Sequence, residues 1–139
     1  MRVRNVYSTV APTLALALTV AGCGGSDGAP EGPAVVPGRV VVELETPNGD
    51  DGAAVIYVRG PGIRSVTAVT AEHQVFTRSG GSVLRVVIVG DLEPGPILSL
   101  DVHDVSESFG GTVVEVADRG NVPRSPAQYN VRFRPANEG

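Results

Sequence analysis

The 139-residue chain contains no lysine and no tryptophan, one cysteine, three tyrosines and three phenylalanines. A single cysteine excludes an intramolecular disulfide, so the fold must hold without a covalent cross-link. So few aromatic rings make a stacking platform for sugars or bases improbable. All eleven basic residues are arginines and fifteen acids outnumber them. This balance argues against a nucleic-acid partner, because nucleic-acid phosphates require a basic surface.

The first 23 residues carry the features of an export signal. Two arginines precede a short apolar run over residues 11–20, well short of the roughly 20 residues that a membrane-spanning helix needs. The run ends in Val20-Ala21-Gly22-Cys23. This ending resembles the lipobox of bacterial lipoprotein precursors. The resemblance implies that residues 1–22 are cleaved as a signal peptide and that Cys23 becomes the acylated first residue.

The same resemblance implies a location, which is the extracytoplasmic side of a cell-envelope membrane, with anchoring by the acyl chains on Cys23. The alternative is an ordinary signal peptide with a chance cysteine beside the cleavage site. Residues 24–38 favour the lipoprotein, because five glycines and three prolines in fifteen residues leave no hydrophobic periodicity. We therefore expect residues 23–38 to carry the lipid and form a flexible tether, about 45 Å long when extended.

From residue 39 onward, short apolar runs alternate with turn residues, which predicts one all-β domain over residues 39–135. The 18 glycines and 11 prolines interrupt the chain too often for long helices. About seven to nine short strands, with a turn roughly every eight to twelve residues, favour an antiparallel β-sandwich. A small β-barrel is the alternative.

The predicted strands cover residues 39–46, 53–59, 63–71, 73–78, 83–89, 97–103, 112–118 and 129–134. Two of them, 53–59 and 83–89, are apolar on both faces, and we expect 83–89 to be the most buried. Val87→Asp is therefore expected to rank among the most damaging substitutions. Residues 90–96 and 119–128 are rich in turn residues and are predicted to be loops.

The spacing Gly90-Asp91-Leu92…Gly95…Leu98…Leu100…Val102, followed by a Val-rich strand, resembles the cohesin-like sandwiches of bacterial surface proteins. The chain is also similar to short lipoproteins in which a tether precedes one such sandwich. The first resemblance implies protein binding and the second implies no particular activity. Neither transfers a functional residue, because the match is a strand pattern rather than a motif.

Asp101 and His103 share one face of a predicted strand, and His73 would complete a zinc-binding set with them. No H-E-x-x-H or comparable spacing accompanies them, which favours exposed strand positions over a metal site. Asn48 and the two aspartates after Gly49 place oxygens as calcium loops do. They lack the further acid and closing glutamate of such loops, which favours a tight turn.

Nothing in the sequence matches a catalytic motif. No serine lies in G-x-S-x-G or S-x-x-K, and two histidines leave few general bases. The glycine pairs fall at predicted hairpins rather than between a strand and a helix, so no phosphate-binding loop and no cofactor is expected. Four arginines on neighbouring strands form an anion patch or, as we favour, are balanced by three glutamates: Arg59, Arg64, Arg78 and Arg85, with Glu43, Glu45 and Glu72.

These patterns predict a non-enzymatic, membrane-tethered β-sandwich that binds through its loops or a sheet edge. Protein is the expected class of any partner beyond the membrane. The candidate binding residues lie in three turn-rich segments, residues 47–52, 90–96 and 119–128. They are Asn48, Asp50, Asp51, Asp91, Arg119 and Arg124. Two alternatives remain open. One is a small metal-dependent envelope enzyme or binder that uses His73, Asp101 and His103, and the other is a structural subunit of an envelope assembly.

Overall fold

The computed structural model of the protein describes residues 32–136. The predicted signal peptide, Cys23 and most of the predicted tether lie outside the described residues. Within this range the chain forms a series of antiparallel strands and one short 3-10 turn, Pro126–Gln128. The strands are β1 (Gly38–Glu45), β2 (Asp51–Arg59), β3 (Ile63–Ala68), β4 (Gln74–Gly80), β5 (Val83–Leu92), β6 (Gly95–Val102), β7 (Gly110–Asp118), β8 (Pro123–Arg124) and β9 (Asn130–Pro135).

The strands form two separate sheets, which confirms the predicted sandwich over the closed alternative. The four-stranded sheet has the order β3-β6-β1-β9, and the five-stranded sheet has the order β4-β5-β2-β7-β8. Every pairing is antiparallel. As its apolar composition predicts, β2 is central and lies between β5 and β7.

The core lies between the sheets and is almost entirely aliphatic. Alternate residues of each strand face inward, because successive side chains of a strand point to opposite faces. On β1 these are Val40, Val42 and Leu44, and on β2 they are Ala54, Ile56 and Val58, all at most 2% exposed. Tyr129 is the one aromatic residue of the buried core cluster. Branched aliphatic side chains fit this pleated, half-buried surface.

The prediction that residues 83–89 form the most buried strand is wrong. Within residues 83–89 only the inward residues Val86 and Ile88 are fully buried. Val87 is half-buried and Val89 is 40% exposed, because both lie on the outer face of the five-stranded sheet. Val87→Asp is therefore not expected to rank among the worst substitutions. Ile88→Asp is instead expected to rank among the most damaging substitutions, because the Ile88 side chain is inaccessible.

Both segments predicted to be loops contain strand. Residues 90–96 mostly continue β5 and begin β6, since only two residues connect the strands. Gly90 permits this continuation with a φ of +149°, and a Cβ there would lie 2.5 Å from the His73 ring. Residues 119–128 include the two-residue strand β8 and the 3-10 turn. Both segments were predicted to be loops because prolines lie at the ends of these elements, and proline is normally depleted in strands.

The sandwich has two ends that matter for function. At one end, here called the tether end, Gly38 begins β1 opposite Val102. Ile63, which begins β3 after the β2–β3 turn, lies on the other side of Val102. At the loop end lie the β1–β2 connection, the last residues of β5 and the segment after β7. The nine residues of β2 run from the loop end to the tether end, a length of about 30 Å.

The outward faces of the two sheets differ in chemistry. The four-stranded sheet presents charged pairs, Glu43 with Arg134 at 2.6 Å and Glu45 with Arg132 at 2.5 Å. The five-stranded sheet instead exposes apolar side chains, among which Phe76 is 58% accessible. An antiparallel sheet with one solvated face is usually polar on that face. The outer face of the five-stranded sheet therefore departs from the usual pattern.

Candidate functional site

The loop end is organised around the buried carboxylate of Asp51. This residue begins β2, and its side chain is fully inaccessible. Its Oδ1 accepts hydrogen bonds from Arg124 Nη1 at 2.7 Å and from the Tyr129 hydroxyl at 2.8 Å. Its Oδ2 accepts one from the Thr46 hydroxyl at 2.7 Å. A buried charge is tolerated only when it is paired and hydrogen-bonded, and both conditions are met here.

Arg124 links this buried acid to an exposed one. Its Nη1 and Nη2 donate to the two carboxylate oxygens of Asp50 at 2.7 and 2.8 Å, a bidentate arrangement. The hydrogen bond from Arg124 lowers the pKa of Asp50, and the pair raises the pKa of Arg124. Arg124 Nη2 also lies 3.7 Å from Asp118. One guanidinium therefore joins β2, β7 and β8.

The remaining candidate residues extend the same network. Asn48 Nδ2 donates to the Tyr129 hydroxyl at 2.7 Å. Arg119 forms an ion pair with Asp91 at 2.7 Å and donates to the Gly49 carbonyl at 3.3 Å. The structure thus brings all six sequence-predicted binding residues to one end of the sandwich, although three separate segments supply them.

Three members of the network were missed by the sequence argument: Thr46, Asp118 and Tyr129. Thr46 and Asp118 each have a local signal. The Thr46 hydroxyl accepts the Asn48 backbone N–H at 3.0 Å, which is a side-chain turn before the loop. Asp118 Oδ1 accepts the backbone N–H groups of Gly120 and Val122 at 2.8 and 3.0 Å, in the same way. Only the long-range contact from Tyr129 to Asp51 has no local signature.

The calcium-loop interpretation is disfavoured by this geometry. Both oxygens of Asp51 already accept from protein donors, and those of Asp50 accept from Arg124. Asp51, with its donors Arg124, Tyr129 and Thr46, and Asp50, which Arg124 also contacts, instead fix the connection between β1 and β2. We call this group the Asp51 clamp. The loop end is consequently a preorganised surface, with most of its charged groups held in one position.

Acidic groups dominate the accessible part of the loop end. A cavity of about 320 Å³ lies there, lined by Glu72, His73, Asp91 and Glu93. The backbone carbonyl of Asp91 accepts the His73 Nε2 hydrogen at 2.8 Å, while His73 Nδ1 is buried without a partner among residues 32–136. Neither glutamate has an ion-pair partner in the part of the chain that the structure describes. This part of the surface favours a cationic counterpart.

The three proposed zinc ligands are not brought together. His103 lies at the tether end, where its Nδ1 accepts from Arg64 Nη2 at 2.8 Å. His73 lies at the loop end, past the opposite end of β3. Asp101 is exposed on β6, opposite Arg39. Across residues 32–136 no group of three or more His, Cys, Asp or Glu side chains is arranged to hold a metal ion.

The sheet register shows which of the four arginines lie together and which acids are near them. Arg59, Arg78 and Arg85 line one shallow pocket of about 370 Å³ on the outer face of the five-stranded sheet, at the tether end. Arg64 is separate, beside His103. The prediction that Glu43, Glu45 and Glu72 balance these arginines is wrong. The first two pair with arginines of β9, and Glu72 lies at the loop end.

Comparison with family models, with curated proteins and with solved structures gives no match for this chain. In the described range, no helix has the length and apolar character needed to cross a membrane.

Proposed function

We propose that the protein is a lipid-anchored, extracytoplasmic, non-enzymatic interaction module. Its loop end, built from Asn48, Asp50, Asp91 and Arg119 around the Asp51 clamp, binds a protein partner with a basic surface. The observation that carries this proposal is positional. The clamped acidic loops lie at one end of the sandwich, and the residues just before β1, which follow the predicted tether in the sequence, lie at the other.

The tether end is fixed by contacts of the residues just before β1. The carbonyl of Val36 accepts the backbone N–H of Val105 at 2.8 Å, and Val35 lies beside Pro61 and Gly62. A chain held to a membrane at Cys23 presents the loop end about 30 Å farther out, which is the length of β2.

The clamp supplies the second support. Binding surfaces gain affinity when their groups are ordered before the partner arrives, because less entropy is lost on association. The bidentate contact from Arg124 to Asp50 and the ion pair of Arg119 with Asp91 both order exposed acids. Complementary charge also accelerates encounter with the partner and excludes wrong partners.

The groups that an enzyme of this size would use are engaged in the fold. Each histidine is hydrogen-bonded to a different part of the chain, and the acids of the clamp are saturated by arginine and hydroxyl donors. This supports binding over catalysis. A permanent partner would make the protein a structural subunit of an envelope assembly, and a transient one would make it a recognition module.

The proposal is tested by site-specific photo-crosslinking in intact membranes. A photoreactive residue replaces exposed Pro94 at the loop end or, as a position control, exposed Thr67 on the four-stranded sheet. We expect a protein adduct of defined mass from position 94 and none from position 67. The adduct should identify a protein whose contacting surface is basic.

Charge dependence separates recognition from chance proximity. The pair Glu72→Gln with Glu93→Gln removes two loop-end charges and leaves the clamp intact. The matched pair Asp101→Asn with Glu107→Gln removes the same charge at the tether end. The first pair should weaken the adduct severalfold and the second should leave it unchanged. Equal adducts from both positions, or equal effects of both pairs, would overturn the proposal.

A further inference from the structure

We propose that the outer face of the five-stranded sheet, at its tether end, docks on an anionic phospholipid bilayer. The contacting groups are Arg59, Arg78 and Arg85, with Tyr57 and Phe76 beside them. The location of this contact rests on the proposed lipid anchor, but the affinity of the face for lipid does not. The inference deepens the proposed function by assigning a second, membrane-facing surface to the same domain.

The first argument is charge. Arg78 and Arg85 are directly opposite each other on β4 and β5, and Tyr57 is opposite Arg85 on the other side. Like charges directly opposite in a sheet are destabilising. Within residues 32–136 only Glu115 pairs with this row, at 3.5 Å from Arg85, with both side chains largely exposed. An external layer of phosphate groups supplies the missing counter-charge.

The second argument is the exposed apolar surface beside the arginines. Phe76 lies two residues before Arg78 on the same face of β4, and it is 58% exposed. Tyr57 is 38% exposed beside Arg85. Surfaces that bind the membrane interface combine basic side chains, which contact headgroups, with aromatic and aliphatic ones, which enter the acyl boundary. Arginine also matches phosphate geometry with paired donors.

The proposed anchor at Cys23 also favours contact of this face with lipid. Val35 contacts the pocket at Pro61, two residues after Arg59. An acyl anchor on Cys23, twelve residues before Val35 in the sequence, keeps the domain near the bilayer and so raises the local concentration of lipid at this face. The acidic loop end is about 30 Å away. That exceeds the Debye length of about 8 to 10 Å, so its repulsion from lipid is screened.

Other charges at the tether end lie outside the row. Asp101 is on β6, and Asp104 and Glu107 are in the segment between β6 and β7, where they line a small pocket with Val35 and Pro61. Arg39 lies opposite Asp101, and Arg64 contacts His103. None of the residues that line the pocket with Arg59, Arg78 and Arg85 is acidic, and among the described residues Glu115 forms the ion pair with this row.

The test is vesicle co-sedimentation of residues 23–139 carrying Cys23→Ser, without acyl chains. This chain contains every strand pairing described above, so both sheets are complete. We expect binding to vesicles of phosphatidylcholine with phosphatidylglycerol, little binding to phosphatidylcholine alone, and loss of binding as salt is raised. Arg59→Gln with Arg78→Gln should lower the partition coefficient roughly twentyfold or more, since each arginine near an anionic surface contributes about a fivefold factor.

A charge-matched control is available on the other sheet. Arg39→Gln with Arg132→Gln removes the same charge from the outer face of the four-stranded sheet and should change binding less than twofold. Phe76→Ser should weaken binding with all charges kept. Equal loss from both arginine pairs, or equal binding to both vesicle types, would overturn the proposal. So would amide shifts on β4 and β5 with inorganic phosphate but no vesicle binding, since this identifies a soluble anion as the ligand.

Because the chain tested lacks the anchor, failure of this experiment leaves the loop-end proposal standing. Failure of the crosslinking experiment leaves the lipid-facing surface standing in the same way.

Discussion

The Tyr129 hydroxyl donates to the buried Asp51 carboxylate at 2.8 Å across 78 positions of the chain. Tyr129 immediately precedes β9 of the four-stranded sheet, and Asp51 begins β2 of the five-stranded sheet. The contact therefore ties the two layers together at the loop end. It also completes the set of donors around a charge that has no access to water.

Asp51→Ala is expected to lower the free energy of unfolding by about 3 kcal/mol or more. The substitution removes the buried acceptor that Arg124, Tyr129 and Thr46 share, although Arg124 keeps its contacts with Asp50 and Asp118, and breaking a buried pair costs about that amount. Asp91→Ala, which removes only an exposed ion pair with Arg119, should cost under about 1 kcal/mol. Urea unfolding of both variants measures the difference. Similar losses in the two variants would contradict the central role given to Asp51.

Ile88→Ala and Val87→Ala separate the two faces of β5. Ile88 is fully buried between the sheets, and its truncation should cost about 2 to 5 kcal/mol because it leaves a cavity. Val87 is half-buried on the outer face, and its truncation should cost about 1 kcal/mol or less. Thermal and denaturant unfolding give both values. A larger effect at Val87 would show that this outer face is covered in solution.

Stability is expected to fall in acid through Asp50. The hydrogen bond from Arg124 lowers the pKa of Asp50 in the folded state relative to the unfolded chain. The stabilising contribution is therefore complete above the unfolded pKa of about 4 and is lost as the pH falls through the folded value.

Asp50→Asn should flatten the decline of unfolding free energy below about pH 4. Asp104→Asn should act in the same direction, because the Ser106 backbone N–H lowers the pKa of Asp104 in the fold. Unfolding curves at a series of acidic pH values decide this. An unchanged slope in Asp50→Asn would remove Asp50 from the acid response.

Cys23→Ala is expected to abolish both acylation and cleavage before residue 23, because Cys23 is the only thiol in the chain. Intact-mass measurement of the membrane fraction gives the result. The unsubstituted protein should carry acyl mass on a chain that starts at Cys23. A mature N-terminus elsewhere, without added lipid mass, would contradict the lipoprotein prediction while leaving the fold unaffected.

The positions of most strands could be predicted because alternation of apolar and polar residues is a local signal. β1 and β9 show this, with inward Val42 and Val131 beside outward Glu43 and Arg132. The inner and outer faces of β5 could not be ranked in this way. Its residues are apolar on both sides, so periodicity does not distinguish a side chain in the core from one on an exposed face.

The sequence predicted several residues of the candidate site but not the ion pairs that they form. Turn composition identified Asp50, Asp51 and Arg124, yet their mutual ion pairs depend on how three distant segments meet. The partners of the arginines show the same limit. Glu43 is closer in sequence to Arg59 than to Arg134, but strand order places it beside β9. Long-range pairing decides which charges neutralise each other, and a single sequence does not contain it.

The position of β1 in the middle of its sheet has a mechanical consequence. The predicted tether precedes β1 in the sequence, and β1 is hydrogen-bonded on one side to β6 and on the other to β9. Strand hydrogen bonds lie perpendicular to the strand, so a pull on the tether that a partner resists at the loop end loads both ladders in shear. All their hydrogen bonds share such a force, whereas a hairpin peeled from one end breaks them singly. In the proposed lipid-anchored protein, this arrangement would keep the domain folded under tension between the anchor and a partner bound at the loop end.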